Sequence, residues 1–166
     1  LLTRLDTFLR PKLIRAMVAQ PANRLDFAAI MNEGKILLVK LAQGMIGEEN
    51  AALLGTLFVA KLHQLALGRQ SMSEQERRPF YVYLDEFQHF VTPSMATLLT
   101  GARKYRLGLV LAHQELRQLW NQDRDVAGAV LANPATRICF RVGDDDAKKL
   151  EDGFSPFSAR DLQNLG

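Results

Sequence analysis

The chain has 166 residues, 48% of them hydrophobic, with 21 Lys and Arg against 18 Asp and Glu for a formal net charge of +3. That content supplies a core for one compact domain or part of a larger one and excludes a disordered chain, while the mild positive balance permits a nucleic-acid partner without requiring one. A single cysteine, Cys139 in the apolar run "RICFRV", excludes an internal disulfide and suits a reducing compartment, with the thiol expected to be buried and inert.

The stretch from Leu2 to Met31 reads as helical, broken at Pro11 and Pro21. "KILLVKL" (Lys35 to Leu41) has strand length. In "EENAALLGTLFVAKLHQLALGR", Leu54, Phe58, Leu62 and Leu65 recur near a 3.6-residue period, Glu48 and Glu49 suit a helix N-terminus, and Gly68 is a stop. The polar "RQSMSEQERRP", closed by Pro79, is a surface loop leading into the strand "FYVYL" (Phe80 to Leu84). "VTPSMATLLTGARKY" offers Thr92 as N-cap and Pro93 at the first helical position, with Arg103 and Lys104 where a helix C-terminus favours cations. A third strand, "LGLVLA" (Leu107 to Ala112), precedes one or two helices in "ELRQLWNQDRDVAGAVLANP" that end before Pro134. "RICFRV" (Arg137 to Val142) is a fourth strand, and "DDDAKKLEDGF" has the polarity of a helix from its acids to Gly153.

Strand-length apolar runs separated by helices predict an α/β fold, a mostly parallel sheet with helices on both faces. No apolar run approaches the roughly 20 residues needed to span a bilayer and no signal peptide is visible, so the segment reads as soluble, without membrane contact. The chain opens at Leu1 rather than Met and closes on "DLQNLG" without an element-ending signal, which predicts a piece of a longer protein truncated at both ends.

Two adjacent acids, Asp85 and Glu86, close the strand "FYVYL". A parallel α/β sheet brings its ligands to the C-terminal ends of its strands, so the pair fits a Walker B corner. There Asp85 would hold magnesium, through water, because that ion prefers oxygen ligands and keeps its hydration. Glu86 would orient and deprotonate the water that attacks a γ-phosphate. A strand that simply ends in solvent fits the same two residues. The next strand ends in Gln114, an amide that can contact a γ-phosphate or the attacking water without adding charge, or an ordinary polar strand end. Arg103 in "GARKYR" is either a solvated cation or an arginine finger reaching the nucleotide of an adjacent subunit.

These features fall in one order: "YVYLDEFQHF", then "LLTGARKYRLGLVLAHQ", then "LANPATRICFRVGDDDA". In that combination the chain, from about "LDFAAIMNEGK" to "DLQNLG", resembles the coupling-protein ATPases of type IV secretion and conjugation (TraD/TraG-like), within the FtsK/HerA group of hexameric DNA motors. Arg106 stands where many relatives have glycine.

The resemblance implies a RecA-like P-loop NTPase core, residues 1–166 being the C-terminal part of one ATPase domain from Walker B to the sensor region. It implies Asp85 as the Walker B acid, Glu86 as catalytic base, Arg103 as trans-acting finger and Gln114 as γ-phosphate sensor. ATP and Mg²⁺ are the implied cofactors; DNA, a hexameric ring of copies, and secretion-channel or relaxosome proteins are the implied partners. The implied placement is cytoplasmic, with an inner-membrane anchor in a preceding segment. No "GxxxxGK[ST]" occurs, so this chain lacks the phosphate cradle and its lysine and is not expected to hydrolyse ATP alone. In this class of sheet the P-loop strand lies between the "GLVLAHQ" and "RICFRV" strands, so the free chain is expected to split its sheet or fill the gap with a partner.

Three rivals stand beside this reading: a metal hydrolase using Asp85, Glu86, His89 and His113; a catalytically silent assembly or interaction domain; and a chromosome-translocating or repair motor of the same class. His63 reads as a packing residue of its helix, and Arg69, Arg77, Arg78 and Arg124, scattered among acids, as solvated surface.

Overall fold

The structure, a computed structural model, describes residues 2–166, with side chains from Leu5 onward. Its helices are α1 (Leu2–Leu9), α2 (Lys12–Val18), α3 (Phe27–Glu33), α4 (Gln43–Ile46), α5 (Glu48–Gly68), α6 (Pro93–Gly101), α7 (Leu116–Gln122), α8 (Arg124–Ala132), α9 (Asp144–Leu150) and α10 (Ala159–Gln163). Strands β1 (Phe80–Leu84) and β2 (Leu107–Leu111) flank α6, and 3-10 turns occupy Arg69–Ser71, Phe87–Phe90, Ala102–Tyr105 and Glu151–Phe154. The chain divides into two compact units: residues up to Tyr83 with Gly101–Val110, and Leu84–Thr100 with Leu111–Gly166.

Phe80 N–H donates to the Arg106 carbonyl at 3.0 Å and Ala112 N–H to the Leu84 carbonyl at 2.9 Å. Residue numbers rise together along both strands, so the pair is parallel, and the connection through α6 has the length such a crossover needs. Among the described residues this is the only sheet. The two other runs expected as strands, residues 35–41 and 137–142, carry no ladder. An extended segment becomes a strand only when a neighbouring strand takes up its N–H and C=O groups; here Lys35 N–H bonds to the Ile30 carbonyl and Val142 N–H to the Leu162 carbonyl, both in helices. They expose large apolar side chains: Ile36 and Leu38 are 88% and 90% exposed, Ile138 and Phe140 81% and 79%.

In the first unit, α5 buries Ala51, Leu54, Gly55, Val59, Leu62 and Ala66, a stripe at the three- and four-residue spacing of one helix face. Leu54 and Leu62 of the expected face are buried, Phe58 and Leu65 half-buried. The stripe meets α3 and α4; Phe58 lies edge-on to Phe27 with ring centroids 5.6 Å apart, and Ile14, Ile46, Ala51 and Leu54 form a cluster flanked by Phe8 and Leu41. Glu48–Ser71 is long and apolar enough to cross a membrane by length and composition, which corrects the reading that no stretch approaches that length. Lys61 and His63 interrupt the apolar run without lowering its average enough to matter.

Arg69 is a second correction. At 2% exposure it is core, not solvated surface. Its guanidinium donates to the carbonyls of Met31 (2.9 Å), Arg78 (2.9 Å) and Tyr105 (3.0 Å) and to Asn32 Oδ1 (3.1 Å). Only the planar five-donor fork of arginine can serve so many acceptors from one buried point, and it ties the end of α3 to the approaches of both strands. Arg77, half-buried, donates to the carbonyls of Met72 and Lys104, while Arg78 and Arg124 are exposed. Gly34 closes α3 at φ 74°, a left-handed backbone that favours glycine, with the exposed Arg78 guanidinium lying over it.

The second unit packs Phe87, Leu116, Leu119, Val126 and Ala147, each at or below 1% exposure. Pro93 opens α6 as expected, and "ELRQLWNQDRDVAGAVLANP" forms two helices, α7 and α8, with Asp123 capping α8 through the N–H groups of Asp125 and Val126. Asp146, buried in α9, accepts the Leu116 N–H at 2.9 Å and so caps α7 from a distant element. Cys139 is half-buried, and burial pushes its thiol pKa up, in keeping with an inert thiol.

Candidate active site at the strand ends

β1 delivers Asp85 and Glu86 to the C-terminal end of the parallel pair, and β2 delivers Gln114 to the same end. Two features fix the corner. Glu86 sits at φ 50°, ψ 44°, a left-handed conformation that costs a non-glycine residue on the order of 1–2 kcal/mol. Phe87 next to it is fully buried, donates its N–H to the Ala112 carbonyl at 3.0 Å, and lies edge-on to His113 with ring centroids 5.5 Å apart. The aromatic anchor and its hydrogen bond hold the turn that the Glu86 backbone strains to make, as occurs where a side chain must be aimed.

The Glu86 carboxylate is held by two amides. Gln114 Nε2 donates to Oε1 at 2.6 Å, and Gln88 Nε2 to Oε2 at 2.5 Å. These bonds, Gln114 first and Gln88 second, favour the ionised form and lower the Glu86 pKa. Asp85 is exposed, with Oδ1 accepting the Glu86 N–H at 3.1 Å. An exposed single carboxylate beside a polar corner suits a hydrated magnesium ion that also takes phosphate oxygens, rather than an all-protein cage.

Asp85, Glu86 and Gln114 thus come together in the second unit. Arg103 belongs to the first, exposed on the 3-10 turn Ala102–Tyr105. Arg106 follows it at φ 52°, so a non-glycine residue adopts a left-handed conformation that glycine would adopt freely.

Sequence reasoning missed Gln88. Its neighbour Phe87 belongs to the strand-end motif, but nothing in "EFQHF" distinguishes an amide that turns inward from one in solvent. It also missed the long-range cap from Asp146. Among the described residues no group of three or more His, Cys, Asp or Glu is arranged to hold a metal, which leaves the hydrolase rival without a ligand set. His113 is half-buried instead, with its pKa pushed down by burial against opposition from Asp146.

Residues 79–151, a little under half of the chain, match the family model described as the TraM recognition site of TraD and TraG. This is narrower than the resemblance drawn above from residue 25 to residue 166. No curated protein and no solved structure matches the chain. The matched segment contains β1, Asp85, Glu86, Arg103 and Gln114, and over it the chain is similar to the C-terminal region of TraD/TraG-like coupling proteins.

Proposed function

We propose that the chain supplies the metal-and-base half of an ATP-hydrolysing motor of the RecA-like class, a coupling ATPase that feeds DNA or nucleoprotein to a type IV secretion or conjugation channel. The observation that carries this reading is the 2.6 Å bond from Gln114 to Glu86 beside the exposed Asp85, made at the shared end of two parallel strands. A phosphate-binding loop from a segment outside this chain would complete the site, with subunits arranged in a hexameric ring on the cytoplasmic side of an inner-membrane anchor.

Magnesium-bound ATP supplies an activated phosphoryl group and screens its charge. Asp85 would hold the ion through its bound water, since magnesium prefers oxygen ligands and keeps its hydration. Glu86, ionised and aimed by its two amides, takes a proton from the attacking water. Gln114, exposed and uncharged, can leave Glu86 for a phosphate oxygen, which makes the pair responsive to occupancy. Arg103 serves the site of a neighbouring copy, adding positive charge where the transition state spreads negative charge.

The test is Glu86→Gln in the protein with its phosphate-binding loop. ATP binding is retained and turnover falls by about 10²–10⁴-fold, the usual contribution of a general base. Wild-type turnover in that variant would remove Glu86 from its role.

The family description supports a second reading, an assembly domain whose business is recognition of a TraM-type relaxosome protein. Under it, purified TraM binds the chain equally well with or without Glu86→Gln, and no nucleotide turnover accompanies the complex. Hydrolysis abolished by Glu86→Gln would decide for the motor.

A further inference from the structure

Two amides hold one carboxylate, but their settings differ. Gln114 is exposed, at the free end of β2. Gln88 is 4% exposed, on the 3-10 turn Phe87–Phe90 directly after the fully buried Phe87. A carboxylate only accepts hydrogen bonds, so the amide nitrogen of Gln88 must face Glu86, and its orientation is fixed by chemistry. The opposite atom, Gln88 Oε1, is buried with no hydrogen-bond partner. An unpartnered buried acceptor is unfavourable, and an apolar residue of the same shape would avoid that cost. The one contact that the amide makes possible is the bond to Glu86.

We infer that Gln88 is a positioning residue for Glu86: fixed in the core behind the carboxylate, it keeps the base aimed when the exposed Gln114 turns away towards a phosphate. Without Gln88, loss of the Gln114 bond on nucleotide arrival would free the Glu86 side chain to rotate at the moment its aim matters. With it, one oxygen remains tethered while the other is released to accept the proton of water. The division of labour follows from burial: a core amide cannot move away, and an exposed one can. This role rests on the proposed hydrolysis, though its geometric part does not.

The experiment uses two variants of nearly equal volume. Gln88→Met keeps the packing and removes the donor; Gln88→Glu keeps the shape and places a carboxylate against Glu86. Titration of the Glu86 carboxyl carbon by NMR is expected to show its midpoint raised in Gln88→Met and raised further in Gln88→Glu. In the protein with its phosphate-binding loop, kcat for ATP falls about 10- to 100-fold in Gln88→Met, as expected for one lost bond to a charged group, with KM within about twofold and the acid limb of the pH profile moved upward. A Glu86 midpoint unchanged from wild type in Gln88→Met overturns the inference, as does unchanged kcat with a raised KM. If Glu86→Gln itself leaves turnover intact, the hydrolysis reading falls, and the NMR titration still decides whether Gln88 holds Glu86.

Discussion

Gln114 Nε2 lies 2.6 Å from Glu86 Oε1, a bond between residues 28 apart in sequence that joins the ends of two parallel strands. Under the proposed hydrolysis Gln114 passes from Glu86 to a phosphate oxygen, so Gln114→Ala in the protein with its phosphate-binding loop is expected to lower kcat by about 10–100-fold, the size of effect seen when one uncharged donor is removed from a charged centre. Steady-state hydrolysis checks it. The same substitution acts on acid stability. The Glu86 pKa is lowered in the folded state, so its contribution is present above the ordinary carboxylate value and is lost as pH falls through the folded one. Denaturant midpoints compared at neutral pH and near pH 3 are expected to differ less in Gln114→Ala than in wild type.

Arg69 is the most heavily bonded buried side chain of the first unit. Arg69→Met fills much of the same space but strands the acceptors at Met31, Asn32, Arg78 and Tyr105. The expected loss is about 3 kcal/mol or more, read from urea unfolding. A loss under about 0.5 kcal/mol would mean that water replaces the guanidinium.

Arg106 tests backbone strain at a single φ of 52°. Both Arg106→Gly and Arg106→Ala forfeit the 3.3 Å bond from Nη1 to the Arg77 carbonyl. Only glycine relaxes the left-handed conformation, so the glycine variant is expected to be the more stable of the two by about 1 kcal/mol. Equal thermal midpoints would place no strain there.

His113 gives the second unit a pH dependence of its own. Burial holds its pKa below the ordinary imidazole value, with Asp146 and a backbone hydrogen bond to Glu115 opposing. The unfolded chain then binds the proton more tightly than the folded one. This contribution is complete above about pH 6.5 and is lost as pH falls towards the folded pKa. His113→Phe, which keeps the ring beside Phe87, is expected to flatten the stability profile below about pH 6.5.

Arg103 is tested by mixing. Under the proposed hydrolysis, subunits carrying Arg103→Ala and subunits carrying Glu86→Gln, each inactive alone in the protein with its phosphate-binding loop, are expected to regain activity when combined, because a mixed interface would pair an intact finger with an intact base. Absence of recovery across all ratios counts against a shared site.

The sequence by itself determined the elements whose cause is local. Apolar spacing set the buried face of α5, Pro93 and the acids of "DDD" set helix starts, and a five-residue apolar run before two acids set β1 and the position of Asp85 and Glu86. Only the tertiary structure decided what depends on partners distant in sequence. It brought Gln114 onto Glu86, turned Gln88 into the core and drew Arg69 out of solvent to serve acceptors up to 38 residues away. It also left residues 35–41 and 137–142 without a strand partner. Apolar alternation prepares a strand, but a strand exists only when another takes up its backbone hydrogen bonds.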